Sequence, residues 1–409
     1  MGMGNILKSL FVIMSSFVFV QQIQAKWSPE AHLMKWTYSH PFKDTYAGTV
    51  WSVVNKKVIN DSVELENKKF KSDIMKGEAL EYSEIIRGKK DHRSLSDTLT
   101  IILPGIFSQH NGGLVKRTLN QTSHLNSHFI ALPNTWTKEF IKTKSRLGNK
   151  TLLPGNIEEE AKVFYKILTE LVQSKYSKYK TINLVGISYG ALMSSIIIQM
   201  DKRKLINGKV RMLAPPVDFI KSLHKTDDLI EKMHNFNKTI NLAEKAKTYV
   251  EYRQAEKQSD LRDIDIKRAP ALVAFNQMQA KLKKTIKSLF KHNNNQELGF
   301  DKKKIDTDDS AFNYYDYYSV VFTEKERQEA EEKSGKIFFW LKKYLNDYPQ
   351  LFKRSQIALL STKDDYLNDL ADWPVNSFEL RSSIILVPNG GHVGFLNTKW
   401  FKHFSNYLF

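Results

Sequence analysis

The chain has 409 residues, of which 41% are hydrophobic and 12% aromatic, enough apolar material for one large core with insertions or for two domains. It contains no cysteine, which excludes disulfides, a thiolate nucleophile and any cysteine-held metal centre. The 62 basic residues against 44 acidic ones leave a formal charge of +18. That surplus favours peripheral contact with an anionic membrane or polymer, but no motif for specific nucleic-acid recognition accompanies it, and a solvated lysine-rich surface is the first explanation.

In chain order, the N-terminus comes first. Lys8 precedes an apolar run from Leu10 to Val20, and Ile23-Gln24-Ala25 follows with a small residue last. Charge, short apolar run and small residue in that order predict a secretory signal over residues 1–25, hence export to the periplasm or outside the cell. The run is shorter than the roughly 20 residues a membrane span needs. Thr45–Val54 (TYAGTVWSVV) is rich in β-branched and aromatic residues and predicts an early strand. Further strands are expected at Thr98–Leu103 (TLTIIL), His128–Leu132, Thr181–Val185 (TINLV), Lys209–Leu213, Gln356–Leu360 (QIALL) and Ser383–Val387 (SIILV). A helix is expected over Ile157–Tyr176, where the apolar residues share one face, and another from Ala191. Buried strands alternating with helices define an α/β class with a mostly parallel sheet covered on both faces.

The alternation stops between Pro216 and about Tyr344, where the sequence is charged and helical. Lys281, Lys283, Lys284, Lys287 and Lys302-Lys303-Lys304 read as solvated helix faces, and His292 to Asn295 as a loop. Phe312–Val321 (FNYYDYYSVV) is densely aromatic, and either packs the insertion onto the core or lines a substrate pocket. The expected division is a signal over 1–25, the first part of the core over 26–216, a helical cap over 217–344 and the remaining core over 345–409.

The chemistry centres on Gly186-Ile187-Ser188-Tyr189-Gly190, a G-x-S-x-G that follows one predicted strand and opens a helix. A serine on such a turn is exposed at its tip, near a helix N-terminus that favours negative charge. A serine hydroxyl needs a base. His392, after the paired glycines of NGGHVGF and beyond the last strand, is the candidate; His403, on the helix expected at the end, is a poorer one. His124 and His128 have helical metal-ligand spacing but lack the glutamate between them and a third ligand, so no metal or other cofactor is expected. The acid belongs between serine and histidine in the chain, and Ser361-Thr362-Lys363-Asp364-Asp365 follows the QIALL strand. Asp365 is the first choice and Asp364 the alternative. Oxyanion donors are expected at the N–H of Tyr189 and of Ile106, with Phe107 second, in the loop Pro104-Gly105-Ile106-Phe107.

Together GISYG, LPGIF, STKDDYL and NGGHVGFL resemble the α/β-hydrolase superfamily, and the last two resemble in particular its YheT-like branch of bacterial hydrolases and related eukaryotic lipid hydrolases. That branch carries a lysine-aspartate-aspartate turn, a G-G-H-V-G-F block and a tyrosine-paired segment similar to YYDYY. The resemblance spans roughly residues 95–409. It implies a helix-flanked, mostly parallel sheet with a helical cap, and Ser188, Asp365 and His392 as the relay. It departs at Pro104-Gly105, where the family has histidine-glycine, and at Tyr189-Gly190-Ala191, where it has leucine-glycine-glycine. It also departs at Leu132–Thr135, where no arginine-glycine block stands. The expected activity is hydrolysis of carboxylic esters, lipid esters among them. The alternatives are acyl transfer to an alcohol through the same acyl-enzyme, and a non-catalytic protein that binds anionic surfaces.

Overall fold

The computed structural model describes residues 38–40, 45, 46, 48, 49, 63–75, 79–86, 96–122, 125–142, 146, 147, 150–234, 278, 280–289, 313–348, 356–375, 377, 380 and 383–408. The strands of its main sheet are β1 (Glu64–Lys71), β2 (Ala79–Ile86), β3 (Thr98–Leu103), β4 (His128–Ala131), β5 (Thr181–Ile187), β6 (Val210–Leu213), β7 (Ile357–Thr362) and β8 (Ile384–Val387). They lie in the order β1-β2-β4-β3-β5-β6-β7-β8. β2 is antiparallel to both β1 and β4, and every other neighbouring pair is parallel. With helices on both faces, this is the α/β-hydrolase fold.

The central strands are continuous apolar runs because each face has its own core. On β3, Leu99, Ile101 and Leu103 enter one apolar cluster while Ile102 enters the other. On β7, Ile357 and Leu359 part from Ala358 and Leu360 in the same way. The first cluster is covered by α2 (Ile157–Lys175), α3 (Tyr189–Met200) and α6 (Ile337–Asp347), the second by α1 (Gly113–Thr122) and α7 (Lys399–Leu408). Period-two alternation along the strands thus feeds two helical layers.

β1 and β2 were not expected from the sequence. ELENKKFK on β1 is charged and largely exposed, as an edge strand tolerates, and only ALEYSEII on β2 buries Leu80, Tyr82 and Ile85. The strand expected at Thr45–Val54 is corrected where it is described: residues 45, 46, 48 and 49 are helical, and the others lie outside the described residues. Its β-branched Thr49 donates its hydroxyl to the Thr45 carbonyl one turn back, 2.9 Å away, and the segment is bound to the loop around His392 rather than to a sheet edge. Tertiary context overrides strand propensity there.

In the stretch expected to be an insertion, α4 (Phe219–His234), a helical segment at 280–289 and α5 (Tyr314–Val321) are described, and α6 packs along α3 as part of the layer. Asn313 and Asp316 form a capping box on α5, and the Asp227 carboxylate of α4 accepts the Tyr314 and Tyr315 N–H groups, each at 2.9 Å. In segment 280–289, Leu282, Ile286 and Leu289 are buried, whereas Lys281, Lys284 and Lys287 are exposed. Residues 1–25, Lys302 to Lys304 and His292 to Asn295 lie outside the described residues. Among the described residues no helix is long and apolar enough to cross a membrane.

Candidate active site

Ser188 stands between β5 and α3 with φ 54° and ψ −121°, a left-handed conformation that a non-glycine residue adopts only when its surroundings enforce it. The enforcement is visible. Its N–H donates to the Leu213 carbonyl at 2.8 Å, its carbonyl accepts the Ala191 N–H at 2.8 Å, and Gly190 lies so close to β3 that a Cβ there would meet the Leu103 oxygen at 2.0 Å. The small residue lets helix and strand close on the turn and present the hydroxyl.

The structure brings Ser188, His392 and Asp365 together. The Ser188 hydroxyl lies 2.8 Å from His392 Nε2, and His392 Nδ1 lies 2.9 Å from Asp365 Oδ2. An ionised carboxylate only accepts, so the imidazole donates from Nδ1 and accepts the serine proton at Nε2. Ser188 and His392 are each 8% exposed and Asp365 3%, so the chain of bonds is shielded from solvent along its length. Asp365 also accepts the Leu367 N–H at 3.0 Å and the Ser361 hydroxyl at 3.3 Å.

Asp364 does not reach the imidazole. Its carboxylate accepts the N–H groups of Gly390 at 3.2 Å and Gly391 at 2.9 Å, and the Thr45 hydroxyl at 3.2 Å. It thereby holds the histidine loop, whose Gly390 and Gly391 have φ of +126° and +60°. The loop is held from the other side by the N-terminal segment. Thr49 Oγ1 accepts the His392 N–H at 2.8 Å, and the Tyr38 hydroxyl donates to the Asn389 carbonyl. Gly48 presses so closely that a Cβ would meet the Gly390 oxygen at 2.6 Å. Sequence reading missed Tyr38 and Thr49, which no local motif marks.

The turn Gly105–Ser108, closed by a 3.0 Å bond from the Ser108 N–H to the Gly105 carbonyl, lies against the serine: a Cβ on Gly105 would sit 3.1 Å from Ser188 Cβ. Ile106 and Phe107 occupy its middle, Phe107 with φ 58°, the second-position sign of a type II turn. Tyr189 is the first residue of α3, where an N–H has no intrahelical acceptor. Asn134 was also missed. It donates from Nδ2 to the Pro104 carbonyl at 3.3 Å and from its N–H to the Ser108 carbonyl at 3.2 Å, and so supports the turn from the end of β4.

Behind Tyr189 the wall is aromatic. Its ring lies 4.8 Å from Phe219 and 6.4 Å from Trp136, and Trp136 packs edge-on to Phe107 at 5.7 Å. The fully buried Glu160 of α2 accepts from the Thr135 hydroxyl and the Gly155 N–H. Tyr189's hydroxyl lies beside the Glu160 carboxyl and the Trp136 indole without hydrogen-bond geometry to either. Burial pushes Glu160 up to about 8, so at neutral pH it is an uncharged acid behind the Tyr189 backbone.

The other histidines singled out from the sequence lie elsewhere. His128 pairs with Glu84 at 2.7 Å and stacks on Tyr179 at 5.3 Å, His403 is an exposed residue of α7, and His124 lies outside the described residues. Among the described residues no group of three or more His, Asp or Glu is disposed to hold a metal ion.

A hydroxyl aligned on an imidazole that a carboxylate orients, beside backbone donors at a turn and a helix start, is the arrangement nucleophilic acyl transfer requires. Sheet order and serine turn define the class: an α/β-hydrolase fold with serine at its elbow. No protein-family model matches the chain, and no curated protein matches it. Among solved structures it is similar to an esterase of Pyrococcus furiosus, at 13% identity and a TM-score of 0.41, over 87% of this chain and 93% of that one. It is similar to a Pyrobaculum calidifontis esterase at 11% identity and a TM-score of 0.41, over 93% and 96% of the two chains. A further similarity is to the acylaminoacyl peptidase of Pyrococcus horikoshii, at 10% identity and a TM-score of 0.43, over 87% of this chain and 41% of that one.

Proposed function

We propose that this protein is an exported serine hydrolase of carboxylic esters, of the YheT-like branch, working through an acyl-enzyme on Ser188. The observation that carries the reading is the unbroken path from the Ser188 hydroxyl to His392 Nε2 at 2.8 Å and from Nδ1 to Asp365 at 2.9 Å, on a turn whose serine has a strained backbone. His392 takes the serine proton as Ser188 attacks the ester carbonyl. The oxyanion is held by the N–H groups of Ile106 and Tyr189. His392 then returns the proton to the leaving alcohol, and water clears the acyl group by the same route. Asp365 keeps the imidazole oriented and stabilises its cation. Export rests on Lys8, the Leu10–Val20 run and Ala25, and the absence of cysteine suits an oxidising compartment.

The test is covalent labelling of the full chain by a fluorophosphonate, followed by peptide mapping, with Ser188→Ala as control. Labelling confined to Ser188 and lost in the variant is expected. A folded wild-type protein that takes no label would overturn the proposal.

A further inference from the structure

Tyr314 opens α5, the helix that brings the cap's aromatic segment onto the core. Its side chain is fully buried. Its ring lies 6.2 Å from Phe107, on the turn against Ser188, and 6.4 Å from Trp136. Tyr366 is edge-on to the His392 ring at 6.1 Å. The other two buried tyrosines of α5 are satisfied: Tyr317 donates to the Pro154 carbonyl at 2.7 Å and Tyr318 to the Gly155 carbonyl at 2.9 Å. The Tyr314 hydroxyl, equally enclosed, has no hydrogen-bond partner among the described residues. A buried hydroxyl in an aromatic wall is costly unless something accepts from it. Chemistry assigns the side of the site. Phe107 follows Ile106, the expected oxyanion donor, on the turn against Ser188, so the groups packed on Phe107 lie on the side of the acyl carbonyl.

We infer that Tyr314 is a specificity residue: its hydroxyl donates a hydrogen bond to an oxygen carried by the acyl group, so esters of compact, oxygen-bearing acids are preferred to plain fatty esters. This rests on the hydrolase reading above. The rings of Phe107, Trp136 and Tyr314 wall the acyl side, and the Tyr314 hydroxyl and the Trp136 indole N–H are its unpartnered polar points among the described residues.

The experiment uses two nearly isosteric substrates, p-nitrophenyl methoxyacetate and p-nitrophenyl butyrate, which differ by one ether oxygen in place of a methylene. The ratio of their kcat/KM values is measured for the wild type, Tyr314→Phe and Tyr317→Phe, so that intrinsic reactivity cancels between proteins. Tyr314→Phe is expected to lower the ratio roughly fivefold to tenfold, the weight of one neutral hydrogen bond, with a melting temperature equal to or above wild type. Tyr317→Phe, which loses a bond within the fold, is expected to melt lower and keep the wild-type ratio. An unchanged ratio in Tyr314→Phe overturns the inference, as does an equal fall in Tyr317→Phe. A wild type that labels at Ser188 yet hydrolyses neither ester overturns the inference alone. A wild type that does not label removes the hydrolase reading and the inference with it.

Discussion

Two adjacent carboxylates, Asp364 and Asp365, hold different partners. Asp365 sits on the imidazole, whereas Asp364 sits on two backbone N–H groups of the loop that carries it. Substitution separates the two. Asp365→Asn keeps the shape but favours the wrong imidazole tautomer, and ester turnover is expected to fall on the order of 10³–10⁴-fold with little change in melting temperature. Asp364→Ala removes a charged acceptor from the loop, and is expected to cost on the order of 1–3 kcal/mol in urea unfolding, with a smaller fall in turnover. Equal kinetic losses in the two variants would contradict this division. The sequence offered Asp365 first and Asp364 second on the turn after the QIALL strand, and it is Asp365, three residues past the end of β7, that lies on the imidazole. The sequence held nothing about the grip of Asp364 on Gly391, which depends on a contact between residues 27 positions apart.

At the scale of elements, α2 matters for what it buries. Glu160 binds its proton more tightly in the fold than in the unfolded chain, because burial raises it from 4.5 to about 8. Its contribution to stability is therefore full below pH 4.5 and is lost as pH rises through about 8. The melting temperature is expected to decline from pH 5 to pH 9, and Glu160→Gln to flatten that decline; a wild-type curve level across the range would refute the assignment. The helix itself was legible, since Ile157, Ala161, Phe164, Ile167, Leu168 and Leu171 recur on one face and all are buried. That Glu160 points inward was not, because a glutamate in a first turn ordinarily faces water. The same contrast runs through the sheet. Apolar runs such as TLTIIL and TINLV announce strands buried on both faces, while β1 is polar enough to hide, and residues 45, 46, 48 and 49 are helical beside a loop more than 300 residues away.

Across the whole molecule, the C-terminal helix is tied to the middle of the sheet by one buried cation. Arg211 of β6 is fully enclosed and donates to the carbonyls of Val210 at 3.0 Å, Gln356 at 2.8 Å and Leu408. Arg211→Ala strands those acceptors and opens a cavity, and is expected to destabilise the protein by about 3 kcal/mol or more, read as a lower urea midpoint. A midpoint within experimental error of wild type would show that the tie is dispensable.

The clasp of Tyr38 and Thr49 on the histidine loop sets a timetable. Tyr38 and its partner Asn389 are 351 positions apart. At roughly 5–20 residues per second of synthesis, the first waits on the order of tens of seconds for the second. For the later part of that interval the stretch that carries Ser188 has been made while His392 has not. The path from Ser188 through His392 to Asp365 can therefore close only when the last stretch has emerged and the earliest described residues have folded over it.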